Sequence, residues 1–327
     1  MKNAIITGVT GQTGSYLAEL LLEKGYKVYG LRRRSSVFNT ERVDHLIGDS
    51  NRFELVYGDM ADYASIANLI SDTKPELVFN TASQSHVRVS FEIPEYTMDV
   101  GATGVIRCLE AIRKHSSGTR FIQSSSSEIW GNSPPPQNEN TKLNPRSPYA
   151  VAKAAGYLAT INYREAYKLF TCNSISNNHE SIRRGETFVT RKITRAATRI
   201  KLGLQNELFL GNLDAKRDWS HAKDVARAQI MILEHDKPDD FVICSGESHS
   251  VKEFLEIVFK KLDLEIDKYV KFDPRYLRPT EVDHLQGDCS KIQNTLGWKP
   301  EYNFEQLIDE MIEHDLELAR KEKKLKE

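Results

Sequence analysis

Tyr149 and Lys153 stand four residues apart in Tyr149-Ala-Val-Ala-Lys153, a spacing that puts both side chains on one face of a helix. An ammonium group beside a phenol lowers the phenol's pKa, and a phenol that titrates near ~10 needs that help to act as a base near neutrality. The pair suits removal of a hydroxyl proton while hydride leaves the same carbon. Taken alone, such a pair is also a common surface feature of helices. Its neighbours give it meaning. Upstream runs Gln123-Ser-Ser-Ser-Ser-Glu-Ile-Trp-Gly131, which reads as the end of a strand. Ser126 is expected to hydrogen-bond a substrate hydroxyl and the Tyr149 oxygen. Glu128 is a carboxylate for which simple hydride transfer has no use. It fits a reaction in which a proton leaves carbon while a hydroxyl departs next door; its plain alternative is a loop carboxylate or helix cap.

A second constellation opens the chain. Thr7-Gly-Val-Thr-Gly-Gln-Thr-Gly14 lies between a strand at Ala4 to Thr7 and an amphipathic helix at Ser15 to Glu23. Gly8, Gly11 and Gly14 permit a tight turn, close approach of backbone to a pyrophosphate, and close packing of helix on strand. With Thr10, Gln12 and Thr13 they form a dinucleotide-binding turn, whose helix N-terminus offers unpaired N–H groups to phosphate. The second strand leads into Leu31-Arg-Arg-Arg-Ser-Ser36. Guanidinium groups there, in place of an acidic residue, suit a 2′-phosphate and favour NADP over NAD. Asp59, just after the third strand, is expected at the adenine edge.

These residues need a scaffold. Apolar runs at Val28 to Leu31, Phe53 to Tyr57, Leu77 to Phe79, Phe121 to Ser124 and Thr171 to Ile175 alternate with helical stretches. That alternation indicates an α/β fold, a Rossmann-type doubly wound parallel sheet covered on both faces. The second half has helices near 185–202, 221–235, 251–262 and 304–321, with only short strands between. It reads as a smaller mixed α/β substrate-binding lobe. The expected division is residues 1–175 for the dinucleotide, with later returns of the chain, and 176–327 mainly for substrate. A length of 327 residues suits two lobes, since single cores rarely grow beyond roughly 250–300 residues. The formal net charge of -1 argues against general nucleic-acid binding. Four scattered cysteines form no metal-binding or disulfide pattern, and the chain has neither a signal-peptide core nor a run of ~20 apolar residues. A cytoplasmic protein with no metal, nucleic-acid or membrane partner is expected.

The glycine turn, the serine strand end and the tyrosine–lysine pair together resemble the extended short-chain dehydrogenases/reductases. Longer stretches resemble the GDP-mannose 4,6-dehydratase family within them: Arg33-Arg-Ser-Ser36, Gln84-Ser-His-Val87, Ser90-Phe-Glu-Ile-Pro-Glu-Tyr96, Pro145-Arg-Ser-Pro-Tyr-Ala-Val-Ala-Lys153, Asn178-His-Glu-Ser181, Gly211-Asn-Leu-Asp-Ala-Lys-Arg-Asp-Trp219 and Arg278-Pro-Thr-Glu-Val-Asp283. The resemblance implies that Tyr149, supported by Ser126 and Lys153, takes a proton from the sugar O4, and that Glu128 works at C5 and C6. The cofactor is reduced and reoxidised within one turnover. By the same resemblance Arg33, Arg34, Ser35, Ser36, Asp59, Met60, Thr81, Ala82, Ser83, Ser85, Tyr96, Lys153, His179 and Arg184 belong to the NADP site. Ser85, Glu128, Asn178, Val189, Lys192, Arg217, Arg278 and Glu281 belong to the GDP-sugar site. The bland reading of Arg217 and Arg278 is an internal ion pair. The family also implies a homotetramer or dimer, with the Arg33–Ser36 loop at a subunit interface.

The chain departs from the family pattern in four places. Thr13 stands for Asp, Ser126 for Thr, and Trp130 for Tyr. Asn173-Ser-Ile-Ser-Asn-Asn178 replaces Asn-Gly-Ile-Leu-Phe-Asn, so Ser176 and Asn177 put polar groups beside the expected sugar. Buried polar groups need partners. GDP-mannose is the leading substrate, GDP-D-glycero-D-manno-heptose, with its extra hydroxymethyl group, the main rival. A GDP-sugar C4 dehydrogenase or keto-sugar reductase would not need Glu128. A non-catalytic dinucleotide sensor would not need Tyr149 or Lys153.

Overall fold

A computed structural model describes residues 1–48 and 51–326. In chain order the elements are β1 Asn3–Thr7, α1 Gln12–Glu23, β2 Lys27–Arg32, β3 Phe53–Tyr57, α2 Tyr63–Thr73, β4 Leu77–Asn80, α3 Val87–Ser90, α4 Pro94–Met98, α5 Gly104–His115, β5 Arg120–Ser126, α6 Pro148–Tyr167, β6 Thr171–Ser176, β7 Asn178–Glu180, α7 Val189–Lys201, β8 Leu208–Leu210, β9 Lys216–Arg217, β10 Trp219–His221, α8 Ala222–Glu234, β11 Asp240–Ile243, β12 His249–Ser250, α9 Val251–Lys261, α10 Ile266–Tyr269, β13 Val270–Phe272, α11 Ser290–Leu296 and α12 Phe304–Lys324. A π-type turn over Asp99–Thr103 joins α4 to α5 in one helical run with a wider middle.

Seven strands form one sheet in the order β11-β6-β5-β4-β1-β2-β3, and every adjacent pair is parallel. The order reverses between β1 and β4. At such a switch point the loops above neighbouring strands diverge and leave a crevice at the carboxyl ends. Strand β4 is buried throughout, as expected for a strand covered on both faces. On one face α1 packs against α8, and on the other α2 packs against α5. The apolar core divides accordingly. One cluster includes Ile6, Leu17, Val28, Phe79 and Ile230, and another includes Ile5, Ile66, Val78, Leu109 and Phe121.

The second half both builds its own lobe and returns to the sheet. Helices α7, α9 and α12 share a separate core with Ile193, Trp219, Phe254 and Met311. Arg191 on α7 pairs with buried Asp315 on α12 at 2.7 Å. Meanwhile β11 adds the seventh strand beside β6, with Asp240 opposite Asn173 and Ile243 opposite Ser176. The Asp240 carboxylate takes the Arg164 guanidinium at 2.6 Å and the Asn173 backbone N–H at 3.0 Å, which fixes that register.

Candidate active site

The glycine turn is built as its spacing requires. Gly8 has φ +67°, and its N–H donates to the Leu31 carbonyl at 3.2 Å. A Cβ on Gly14 would lie 2.5 Å from the Gly8 carbonyl oxygen and 2.8 Å from Val9 Cα. The turn is therefore tighter than any side chain at position 14 permits. Helix α1 begins after Gly11 without a side-chain cap, so its first N–H groups are left for a ligand. Gln12 and Thr13 are tied to the opposite wall. The Gln12 amide donates to the His179 carbonyl at 3.0 Å, and Thr13 Oγ1 meets His179 Nε2 at 2.9 Å. Burial first, then the Arg184 charge, pushes the His179 imidazole down to about 4.

Above the switch point lies a cavity of about 1250 Å³. That exceeds the ~300–1,000 Å³ of an ordinary small-ligand site and can hold a dinucleotide and a second ligand end to end. Gly8, Thr10, Gly11, Gln12, Thr13, Gly14, Arg33, Asp59, Met60, Thr81, Ala82, Ser83, Ser85, Tyr96, Lys153, His179 and Arg184 line it. So do Ser126, Glu128, Tyr149, Asn178, Val189, Lys192, Arg217, Arg278 and Glu281. Arg34, Ser35 and Ser36 lie outside this lining, on an exposed loop that continues into Val37 and Phe38. Arg33 reaches back to the cavity and donates to the Tyr96 hydroxyl at 2.7 Å.

Helix α6 carries the tyrosine and lysine. Ser147 caps it by accepting the Ala150 N–H at 3.0 Å, and Pro148 follows at the first helical position. The phenol and the ammonium are both buried. The electrostatics differ from the expectation raised by their spacing. Burial pushes the Tyr149 phenol up to about 12; the Glu128 charge adds to the rise, while hydrogen bonding from Ser126 and the Arg184 charge oppose it. Lys153 does not lower it, because its ammonium is turned to the Ser124 carbonyl at 2.7 Å and stands 5.8 Å from the centre of the Tyr149 ring. Burial likewise brings Lys153 down to about 8.

Glu128 lies in the short turn after β5 and is buried. One carboxylate oxygen meets Arg278 at 3.3 Å, and the other has no hydrogen-bond partner among the described residues. Arg278 also meets Glu281 at 3.5 Å, and Arg217 meets Glu281 at 3.3 Å. The internal ion pairs considered for both arginines are therefore real, yet both guanidinium groups still face the cavity. Burial, aided by Arg278, holds the Arg217 pKa below its ordinary value. The Lys192 ammonium nitrogen has no hydrogen-bond partner among the described residues and sits 3.2 Å over the Tyr276 ring. Ser176 Oγ and both amide atoms of Asn177 are buried where β6 ends, without partners among the described residues. Among the described residues, no group of three or more His, Cys, Asp and Glu side chains is arranged to hold a metal. No helix there is long and apolar enough to cross a membrane.

Gln229 and Arg42 are among the cavity residues that escaped the sequence reading. Gln229 sits among the buried residues of α8 and donates to Ser124 Oγ at 3.0 Å and Ser174 Oγ at 2.8 Å. A glutamine within that apolar stretch was a usable signal. Arg42 follows β2 at a distance and carries no motif. Only the folded loop brings it to the Thr10 carbonyl.

With this geometry in hand, comparison with known proteins decides the family. A family model described as GDP-mannose 4,6 dehydratase matches residues 5–311. The chain belongs to the GDP-mannose 4,6-dehydratase family. It is 54% identical over 333 residues to GDP-mannose 4,6 dehydratase 1 of Arabidopsis thaliana, covering 99% of this chain and 92% of that protein. Among solved structures it resembles dTDP-glucose 4,6-dehydratase from Bacillus anthracis in complex with NAD, with a TM-score of 0.84, 21% identity and 96% of each chain covered. It also resembles RMD from Pseudomonas aeruginosa complexed with NADPH, with a TM-score of 0.79, 22% identity, and 97% of this chain and 100% of that one covered. These two likenesses share the fold of the family.

Proposed function

We propose that the chain is an NADP-dependent hydro-lyase that converts GDP-mannose to GDP-4-keto-6-deoxymannose and water. The observation that carries this reading is Glu128. It shares the cavity with Tyr149, acts on the phenol's pKa, and keeps one carboxylate oxygen unpartnered. A C4 dehydrogenase or keto-sugar reductase has no task for that carboxylate.

In this reading Tyr149, aided by Ser126, accepts the proton of the sugar O4 hydroxyl. The ketone formed at C4 acidifies the C5–H bond, and Glu128 removes that proton and passes it to the departing C6 hydroxyl, which leaves as water. A proton then returns to C5, which balances the one taken from O4. When bound, NADP⁺ supplies the two-electron chemistry, taking hydride from C4 and giving it back at C6, and its positive ring favours the phenolate that burial alone opposes. Lys153 holds the nicotinamide ribose. The glycine turn, Asp59, Met60, Thr81 to Ser85, Tyr96, His179 and Arg184 hold the rest of the cofactor. Asn178, Val189, Lys192, Arg217, Arg278 and Glu281 hold the GDP moiety, with Ser85 and Glu128 at the sugar. Residues 1–175 mainly serve the cofactor and 176–327 mainly the GDP-sugar.

The same reading takes the enzyme to be a cytoplasmic homotetramer or dimer. Support comes from Val37 and Phe38, 71% and 87% exposed beside the Arg33–Ser36 loop, which gives that loop an apolar tip suited to a neighbouring subunit. A second substrate, GDP-D-glycero-D-manno-heptose, is favoured by the unpartnered Ser176 hydroxyl and Asn177 amide, which could serve an additional hydroxyl group.

The test incubates the purified chain and NADP⁺ with each GDP-sugar, without added reductant, and follows mass. Loss of one water from one of them is expected. No loss from either sinks the dehydratase reading. In parallel, Glu128→Gln should abolish water loss while C4 oxidation persists at a measurable level; unaltered dehydration removes Glu128 from its role.

A further inference from the structure

The arginines after β2 differ in how firmly they are held. Arg34 is on the exposed loop and, among the described residues, bonds only to the neighbouring Ser35 carbonyl. Arg42 stands on a fixed turn. The Val43 N–H donates to the Thr40 carbonyl at 2.7 Å, and both residues are buried, Val43 within the main core. The Arg42 side chain is half-buried. Arg42 Nε donates to the Arg183 carbonyl at 2.8 Å, and Nη1 reaches the Thr10 carbonyl at 3.4 Å.

Among the described residues Arg42 has no carboxylate in salt-bridge contact, unlike three arginines near it. Arg183 meets Glu19 at 2.6 Å, Arg184 meets Glu180 at 3.0 Å, and Arg191 meets Asp315 at 2.7 Å. Arg42 makes its two bonds to backbone carbonyls instead. Burial, then the Arg191 and Arg183 charges, lower its pKa; Glu41 and Glu186 offset this only from a distance. A half-buried guanidinium held by carbonyls keeps a free N–H edge and an uncompensated charge. Arg42 lines the cavity, as do Thr10, to which it bonds, and Arg33 and Asn39, on the side where β2 ends. In a doubly wound sheet, that side receives the adenosine ribose.

We propose that Arg42 is the cation that selects NADP over NAD, binding the adenosine 2′-phosphate through its free edge. This rests on the NADP dependence proposed above. The carbonyl bonds pre-set the guanidinium, so little side-chain entropy is lost when phosphate arrives. Through the Arg183 carbonyl the same residue also steadies the loop that leads into α7.

Calorimetric titration of the full chain with NADP⁺ and NAD⁺ separates the two claims. Equal affinities in the unaltered protein would overturn the cofactor reading itself. If the unaltered protein prefers NADP⁺, Arg42→Met should weaken NADP⁺ binding by about 10- to 100-fold and NAD⁺ binding by less than about twofold. Arg42→Lys should restore part of the loss. The ratio of the two affinities in one sample is insensitive to any unfolded fraction, and 2′,5′-ADP against 5′-AMP repeats the comparison without the nicotinamide half. A parallel loss of NADP⁺ and NAD⁺ affinity, or no loss of either, would overturn the assignment to Arg42.

Discussion

Thr13 and His179 make the contact that closes the glycine turn against β7, and it is a neutral contact. With the folded His179 imidazole down near 4 and an unfolded histidine near ~6.5, the unfolded chain binds the extra proton between those values. Stability is therefore complete above about pH 6.5 and falls by roughly 3 kcal/mol as pH drops through the folded value. Thr13→Asp places a carboxylate on the imidazole, raises its pKa and should recover about 1 kcal/mol near pH 5 while changing little at pH 8. Urea denaturation at the two pH values checks this; an equal change at both would reject the linkage. The tyrosine, lysine and carboxylate of the site were legible because helix spacing and a strand end are local features. Tyr149's raised pKa was not, because burial depends on what α6 packs against. Arg42 was hidden for a related reason: its partners, Arg183 and Thr10, are distant in the chain, as are Ser124 and Ser174, which give the one visible signal of Gln229 its meaning.

In the proposed function the turn between β1 and α1 is the piece of backbone that carries the cofactor. Gly14→Ala forces a methyl group to 2.5 Å from the Gly8 carbonyl oxygen, so the turn must open. We expect a loss of about 1–3 kcal/mol in stability and a still larger fall in NADP⁺ affinity, because the α1 N-terminus is displaced from the phosphate. Gly11→Ala meets only the Gly8 oxygen, at 3.1 Å, and should be milder on both counts. Thermal melts with and without cofactor rank the two; Gly11→Ala proving the worse would refute the packing argument. The strands of the first half were readable from apolar runs, and the observed β1, β2 and β3 lie close to the expected ranges. Helix α1 starts three residues earlier than expected, at Gln12, because the glycines bend the chain directly into it. The short β7, β9, β10 and β12 left no periodic signal, since two or three residues show no alternation.

The two lobes meet around one cavity, and Phe38 lies well away from the buried core, at the tip of the loop after β2. If that loop serves a neighbouring subunit, Phe38→Glu should shift the assembly to a smaller species in light scattering, and an unchanged mass would separate the loop from any interface. The parallel sheet was legible from its alternation of strand and helix, but the identity of its last strand was not. An apolar run at residues 241–244 fits a strand of either lobe, and only the Arg164–Asp240–Asn173 contacts settle which. That late return has a consequence for synthesis. Until Asp240 to Ile243 leave the ribosome, β6 is an open edge, buried in the finished protein yet unpaired on one side in the nascent chain. With Asn173, Ser174 and Ser176 among its six residues, that waiting edge is less apolar than a strand of Val and Ile would be, and so a poorer template for pairing with the wrong neighbour.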